Sequence, residues 1–256
     1  MKKLLFITLA LFIIAPNAFA MPLNANNMTL TDLQGVFNGI GSTIDANSDE
    51  SGAEKFAFQS TGATAHYVAN IGTPAANIEF GFYDLSDSNK QLTIFDGSRN
   101  VGDNTQIYID YNNSELTSYY MTGSGPNIQT VTVDNIQMSL PSLGFYIKSG
   151  SMTYFSVSDQ NTGGTADLDG DGVVDNDHFL VYEGKSDVVN LPGIQQGLND
   201  YAHWYVAMEA SEIDGIDDNF TDMVVHLESI QPVPEPATFL LLGIGILGFC
   251  GLLRKK

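Results

Sequence analysis

The residues best suited to chemistry are carboxylates at every second position from Asp167 to Asp171, followed by Asp175 and Asp177. Asp167, Asp169 and Asp171 stand at positions one, three and five of a loop, and a glycine follows where a sharp turn is needed. In calcium loops these three side chains converge on the ion, and position seven, here Val173, supplies a backbone carbonyl. Oxygen ligands in a flexible loop suit a hard cation, so the spacing predicts a calcium site.

The second half of this loop departs from the EF-hand pattern. Asp175 occupies position nine, which often reaches the ion through water, but position twelve is His178 instead of a bidentate glutamate. Flanking helices are also missing from the pattern, and the loop is more similar to the calcium loops of thrombospondin-type or dockerin modules. Asp177 or Glu183 would then close the site. The alternative is a solvated acidic turn that binds no ion.

A second acidic cluster follows near the end of the exported part of the chain. Its carboxylates are Asp214, Asp217, Asp218 and Asp222. They offer oxygen ligands for another calcium ion, or they share the first one. Asp side chains also favour turns because they bond to nearby backbone groups, so a purely structural role is the alternative.

Motifs for hydrolytic catalysis are missing from the sequence, which contains no H-E-x-x-H, G-x-S-x-G or C-x-x-C pattern. The four histidines stand singly in separate segments: His66, His178, His203 and His226. We therefore expect that the protein is not an enzyme, and a secreted hydrolase is the least favoured alternative. The run 203–205 contains Trp204, which stacks on a sugar ring or, as is more common for a Trp in a strand, anchors the core.

Short runs of β-type sequence must position these acidic segments. From residue 76 onward such runs recur at spacings of about 8 to 15 residues, many with the alternation of a strand that has one wet face. The runs are 78–83, 91–95, 106–111, 129–133, 144–147, 152–157, 179–182, 204–208 and 223–227. No stretch of the exported part shows a persuasive helical period. We predict an all-β domain over 76–230, folded as an antiparallel, jelly-roll-like sandwich of two sheets.

Composition sets further limits on the exported part. Residues 21–75 are rich in Asn, Ser, Thr, Gly and Ala and predict a loop-rich segment with few strands. The chain has a formal net charge of −20, and half of its cations lie at the two ends, so the exported part is more acidic still. Such a surface repels nucleic acid and attracts cations. The single cysteine, Cys250, leaves no disulfide to hold the domain.

Both ends of the chain carry targeting patterns. Residues 1–20 form a predicted signal peptide, in which two lysines precede an apolar run and Ala18 and Ala20 give the small-x-small pattern that signal peptidase cuts. Residues 237–253 are apolar throughout and give roughly 25 Å of helix, near the lower limit for crossing a bilayer. The basic residues 254–256 then predict a cytoplasmic tail, with the remainder outside the inner membrane.

The segment 231–236, just before this apolar helix, contains Pro234, Glu235 and Pro236. This tripeptide, the helix and the final basic cluster together resemble the PEP-CTERM sorting signal of Gram-negative bacteria, which the membrane enzyme exosortase reads. The resemblance implies cleavage near the tripeptide. It also implies transient anchoring in the inner membrane, followed by transfer to the cell surface or to the exopolysaccharide matrix of a biofilm.

The β-rich part of the chain resembles a second family over roughly 78–230, the domain of unknown function 4114. The runs that carry the resemblance are 80–83, 92–97, 144–146, the acidic run near 170, and 217–225. Because that family has no established catalytic activity, the resemblance implies a surface module. We expect a noncatalytic, calcium-stabilised structural or adhesive protein, and the alternative is a carbohydrate-binding module that recognises exopolysaccharide.

Overall fold

The computed structural model describes residues 28–72, 78–122, 129–194, 197–215 and 218–233. Within these ranges the chain forms the helix α1 (Thr31–Ile40), a 3-10 turn (Ser158–Gln160) and fifteen strands. The strands are β1 (Phe56–Phe58), β2 (Gly62–Ala69), β3 (Ile78–Asp84), β4 (Asp87–Phe95), β5 (Asn104–Asp110), β6 (Glu115–Thr122), β7 (Gln129–Gln137), β8 (Ser142–Ser149), β9 (Met152–Phe155), β10 (Phe179–Glu183), β11 (Val188–Val189), β12 (Leu198–Asn199), β13 (Trp204–Met208), β14 (Met223–Glu228) and β15 (Ile230–Pro232).

The strands form two large sheets in which every pairing is antiparallel. The first sheet has six strands in the order β15-β1-β8-β3-β4, with β9 also paired to β8. The second has seven strands in the order β10-β13-β14-β2-β5-β6-β7, and β11 pairs with β12 in a small separate ribbon. The prediction of a mostly β chain is confirmed, and the two large sheets are consistent with a sandwich. The jelly-roll connectivity stays a prediction.

One apolar cluster joins the first sheet to the inner face of the second. Phe82 and Phe145 from the first sheet belong to the same buried cluster as Val225 from the second. Trp204, on β13, is 6% exposed and packs edge-on against Phe56, with ring centroids 5.9 Å apart. Trp204 is therefore part of this core, in a position where it cannot stack on an external sugar ring.

A second apolar cluster lies on the outer face of the second sheet. The helix α1 covers this face with its apolar side, on which the buried residues recur every three or four positions: Leu33, Val36, Phe37 and Ile40. They pack against residues of the sheet that include Tyr182 and Tyr205. The sequence predicts no helix in the exported part, so α1 corrects that expectation. Its apolar period escapes detection because the helix is only 10 residues long and polar residues and glycines separate the apolar positions.

The described part of the predicted loop-rich segment, residues 28–72, also supplies β1 to the first sheet and β2 to the second. Three strands of the second sheet, β10, β13 and β14, are buried on both faces because α1 and neighbouring loops cover them. In contrast, β5 alternates between buried and exposed residues, so its outer face is open. The strand β2 lies between the covered and the open halves.

No helix in the described ranges is long and apolar enough to cross a membrane. The predicted signal peptide, with Ala18 and Ala20, lies outside those ranges, as does the predicted membrane helix 237–253 with the segment that contains Pro234, Glu235 and Pro236. The signal peptide and the membrane helix therefore stay predictions from the sequence.

Candidate functional site

The predicted calcium loop is fastened at both ends before it reaches β10. The backbone N–H of Thr165 donates to the carbonyl of Ile213 at 2.8 Å, which ties the loop to the segment after β13. The N–H of Asp175 donates to the carbonyl of Ala166 at 2.8 Å and closes the base of the loop. Gly164 lies so close to this base that an added Cβ atom would stand 1.9 Å from the Asp175 carbonyl oxygen. The acidic side chains are therefore held on a fixed turn.

Within the loop, the backbone wraps around the carboxylate of Asp167. Its Oδ1 accepts the N–H groups of Gly170 at 2.7 Å and Asp171 at 3.1 Å, and its Oδ2 accepts that of Gly172 at 2.9 Å. Gly170 and Gly172 have positive φ angles of 78° and 91°, a conformation that glycine adopts without strain. Asp169 Oδ1 also accepts the N–H of Asp171, at 3.0 Å. The turn is thus organised by its own carboxylates.

Three of the predicted ligands come together. Asp167, Asp169 and Asp175 each place one carboxylate oxygen so that all three atoms lie within 4.8 Å of one another. Burial raises the pKa of Asp175, and the negative charges of Asp169 and Asp167 raise it further. A cation among the three oxygens would relieve this repulsion.

The remaining predicted ligands of the first site are placed differently. Asp171 Oδ1 accepts the N–H of Val173 at 2.7 Å, and Val173 itself is 64% exposed. Asp177 is buried and accepts the N–H of Phe179 at 3.0 Å, where β10 begins. Glu183 stands at the far end of β10 from the loop. Among the described residues of this loop, the carboxylates that converge are therefore Asp167, Asp169 and Asp175, at positions one, three and nine.

An acidic cleft of about 450 Å³ opens beside the loop. Its lining residues are Ser158, Asp159, Asn161, Asp169, Asp171, Val173, Val174, Asp175, Asn176 and Asp177. His178, at position twelve, does not line this cleft. It is 1% exposed, its ring stacks on Tyr154 at a centroid distance of 3.6 Å, and its Nδ1 lies 3.0 Å from the carbonyl oxygen of Glu209.

In the second acidic cluster, Asp222 hydrogen-bonds with a residue that the sequence did not single out. Asp222 is 7% exposed, and its Oδ2 accepts the N–H of Ala210 at 2.9 Å. Its side chain also hydrogen-bonds with that of Glu209, which is 2% exposed. Burial raises the pKa of Glu209 to about 8, and the hydrogen bond and charge of Asp222 add to the shift. The buried neighbour Asp222 therefore favours the protonated form of Glu209.

The other members of that cluster lie elsewhere. Asp214 is exposed, and Asp218 accepts the N–H of Gly215, while Asp217 lies outside the described residues. No three carboxylates of this cluster lie within ligand distance of one another in the part of the chain that the structure describes. Glu209 could have been noticed as a charged residue directly after the apolar strand 204–208.

Three of the histidines that appear isolated in the sequence meet on the outer face of the second sheet. His226 on β14 stands opposite His66 on β2, with ring centroids 5.5 Å apart. His203, immediately before β13, approaches His226 from the other side at 5.0 Å. Glu228 completes the group, with its Oε1 3.4 Å from His66 Nε2. Spacing along the chain cannot show this cluster, because strand pairing creates it.

Comparison with known proteins identifies one segment of the chain. A family model described as the PEP-CTERM protein-sorting motif matches residues 232–255. The match contains Pro234, Glu235 and Pro236, the predicted apolar helix and most of the basic tail. The motif implies a protein that exosortase sorts, with a surface or extracellular location.

None of the curated proteins and none of the solved structures matches this chain. The resemblance of 78–230 to the domain of unknown function 4114 therefore stays a prediction.

Proposed function

We propose that this chain is a noncatalytic surface protein whose β-rich domain is stabilised by calcium bound in the loop 167–177. The observation that carries the proposal is the convergence of oxygens from Asp167, Asp169 and Asp175 within 4.8 Å of one another. Backbone groups already hold this loop in a turn, so a cation would meet a largely formed site. Calcium fits because all three ligands are carboxylate oxygens.

The sorting motif favours calcium as the occupant. An exosortase substrate works outside the cytoplasm, where calcium modules function with dissociation constants of about 10⁻⁴ to 10⁻³ M. The net charge of −20 favours cation binding as well, since each bound ion reduces the repulsion among the acidic side chains of the folded domain.

In this proposal the domain is a structural or adhesive component of the cell envelope or of a biofilm matrix. Signal peptidase removes residues 1–20, and the helix 237–253 holds the chain in the inner membrane until exosortase acts near Pro234, Glu235 and Pro236. The released domain then contacts exopolysaccharide or other surface proteins. The two sheets and their buried apolar clusters suit this role, because a well-packed core can keep the domain folded outside the cell without a disulfide.

Calcium-dependent stability tests the proposal. A ligand that binds only the folded state at a hundred times its dissociation constant adds about 2.7 kcal/mol. For a domain of this size that raises the melting temperature by roughly 5 to 11 °C. We expect this rise when calcium is added to the chelator-treated full-length protein. Asp169→Asn and Asp175→Asn should each remove most of it.

The matched control is Asp32→Asn, which removes one negative charge from the exposed face of α1. This variant should keep the calcium response of the unchanged protein. If calcium has no effect on melting, or if Asp169→Asn responds in full, the loop is a solvated acidic turn.

Carbohydrate binding is a second candidate function, favoured by the open half of the second sheet. Tyr108 on β5 is 53% exposed and stands opposite Thr117 on β6. On the same face, Tyr119 stands opposite Gln106. Aromatic rings beside hydroxyl and amide groups on a flat surface can stack on a sugar ring and hydrogen-bond its hydroxyls. Trp204, which is buried, takes no part in this surface.

A further inference from the structure

The outer face of the second sheet carries a compact group of imidazoles with one carboxylate. Antiparallel pairing sets His226 opposite His66, and Glu228, two residues along β14, faces the same side. Because β14 lies between β13 and β2, His203 and His66 flank His226 from its two sides. The four side chains come from three separate stretches of the chain.

His226 is fully buried, but its polar ring nitrogens lack the hydrogen bonds that buried polar atoms usually make. It is 0% exposed, and neither of its ring nitrogens has a hydrogen-bond partner among the described residues. A buried polar atom without a hydrogen-bond partner lowers the stability of the folded state. Because no described residue hydrogen-bonds either ring nitrogen, His226 has a nitrogen available to bind a ligand.

The spacing of the cluster matches a metal-binding geometry. The ligand atoms of His66, His226 and Glu228 lie within 4.8 Å of one another. His66 Nε2 and Glu228 Oε1 are 3.4 Å apart. Two ligands at about 2.1 Å from a tetrahedral zinc ion are separated by about 3.4 Å. The His226 ligand atom lies within 4.8 Å of both, so it is at most about 1.4 Å beyond this separation.

We propose that His66, His226 and Glu228 bind a divalent transition-metal ion of the zinc class. Two imidazole nitrogens and one carboxylate oxygen suit zinc, whereas calcium prefers oxygen ligands alone. The site is open to solvent on one side, since the side chain of Glu228 is 26% exposed and that of His66 is 11% exposed. This opening allows an ion to enter and leaves a coordination position for water or for the neighbouring His203.

Bound metal would link β2 to β14, two strands whose ligands are separated by most of the domain's sequence. The link lies at the border between the covered and open halves of the second sheet. The competing interpretation is a simple hydrogen bond between His66 and Glu228 beside an unsatisfied His226, with no ion involved.

Metal titration of the full-length protein distinguishes these interpretations. After treatment with a chelator, the protein is titrated with Zn²⁺ by calorimetry, and with Co²⁺ by its visible absorption, whose intensity reports four-coordinate geometry. We expect one site of micromolar or tighter affinity and a four-coordinate cobalt spectrum. His66→Gln and Glu228→Gln, both at the solvent edge, should each weaken binding by at least about 10-fold. His226→Gln should abolish it if that variant folds.

Asp169→Asn is the matched control, because it removes a carboxylate from the acidic loop and leaves the histidine cluster intact. It should bind Zn²⁺ as the unchanged protein does, even where its calcium response is lost. The proposal is overturned if Zn²⁺ does not bind, or if His66→Gln and Glu228→Gln bind it unchanged. It is also overturned if binding is lost only in Asp169→Asn, which would place the ion in the acidic loop.

Discussion

The substitution Phe37→Ala tests whether α1 is part of the folded core. The Phe37 ring is 0% exposed. It meets the rings of Tyr182 and Tyr205 edge-on, at centroid distances of 5.1 and 5.6 Å. Both distances lie in the range at which aromatic pairs attract each other. Since Tyr205 in turn packs on His226 at 5.0 Å, this contact supports the layer beside the histidine cluster.

The size of the effect follows from the lost contacts. Removing a buried phenyl ring costs about 3 to 5 kcal/mol, because the transfer free energy is lost and the surroundings close only partly over the cavity. The loss should approach the upper value, since each edge-on aromatic pair contributes about 0.5 to 1.5 kcal/mol beyond its buried area. For a domain of this size, that range lowers the melting temperature by roughly 6 to 20 °C.

Denaturant unfolding of the full-length protein measures the loss of unfolding free energy, and thermal unfolding measures the fall in melting temperature. The matched control is Asn38→Ala, at the next position on the exposed face of α1, which should change the unfolding free energy by less than about 0.5 kcal/mol. If Phe37→Ala unfolds at the same denaturant concentration as this control, α1 does not stabilise the second sheet. The packing of α1 on the outer face of that sheet would then be wrong.

Two further predictions concern the buried carboxyl group of Glu209 and the exposed ring of Tyr108. Burial and the neighbouring Asp222 raise the pKa of Glu209 from 4.5 to about 8, so its contribution to stability is complete below pH 4.5 and is lost as the pH rises through 8. Glu209→Gln should therefore lose less stability than the unchanged protein between about pH 5 and 9 in denaturant titrations, and an equal loss in both would contradict the raised pKa. If the carbohydrate-binding alternative holds, Tyr108→Ala should lower retention of the full-length protein on exopolysaccharide from its own organism by several-fold without changing its melting temperature. Equal retention of both proteins would remove Tyr108 from any sugar contact.

Local sequence information explains which parts of the fold could be predicted. The strand β13 coincides with the predicted run 204–208, and β3 begins at the first residue of the predicted run 78–83. Such runs carry their signal in consecutive residues. The helix α1 carries a weaker signal, because its four buried residues are distributed over only 10 positions. The order of strands within each sheet depends on contacts between distant segments, which periodicity does not encode.

The same limit applies to the acidic loop. Alternating carboxylates and the two glycines predict a turn that gathers oxygens, and the structure contains such a turn. The sequence could not show that Asp175 would face Asp167 and Asp169 while Asp171 bonds the backbone of Val173, because these choices depend on how the loop packs. A ligand assignment copied from loop position alone would include Asp171 and give less weight to Asp175.

The histidine cluster depends wholly on strand register, and this makes it a sharper test of the fold than the acidic loop. A shift of β2 by one residue against β14 would turn His66 toward the inner face and would separate it from His226. The acidic loop, in contrast, could form its turn in many folds, because its ligands lie within nine residues of one another. Zinc binding that is lost in His66→Gln would therefore support both the proposed ion and the pairing of β2 with β14, which calcium binding by the loop cannot do.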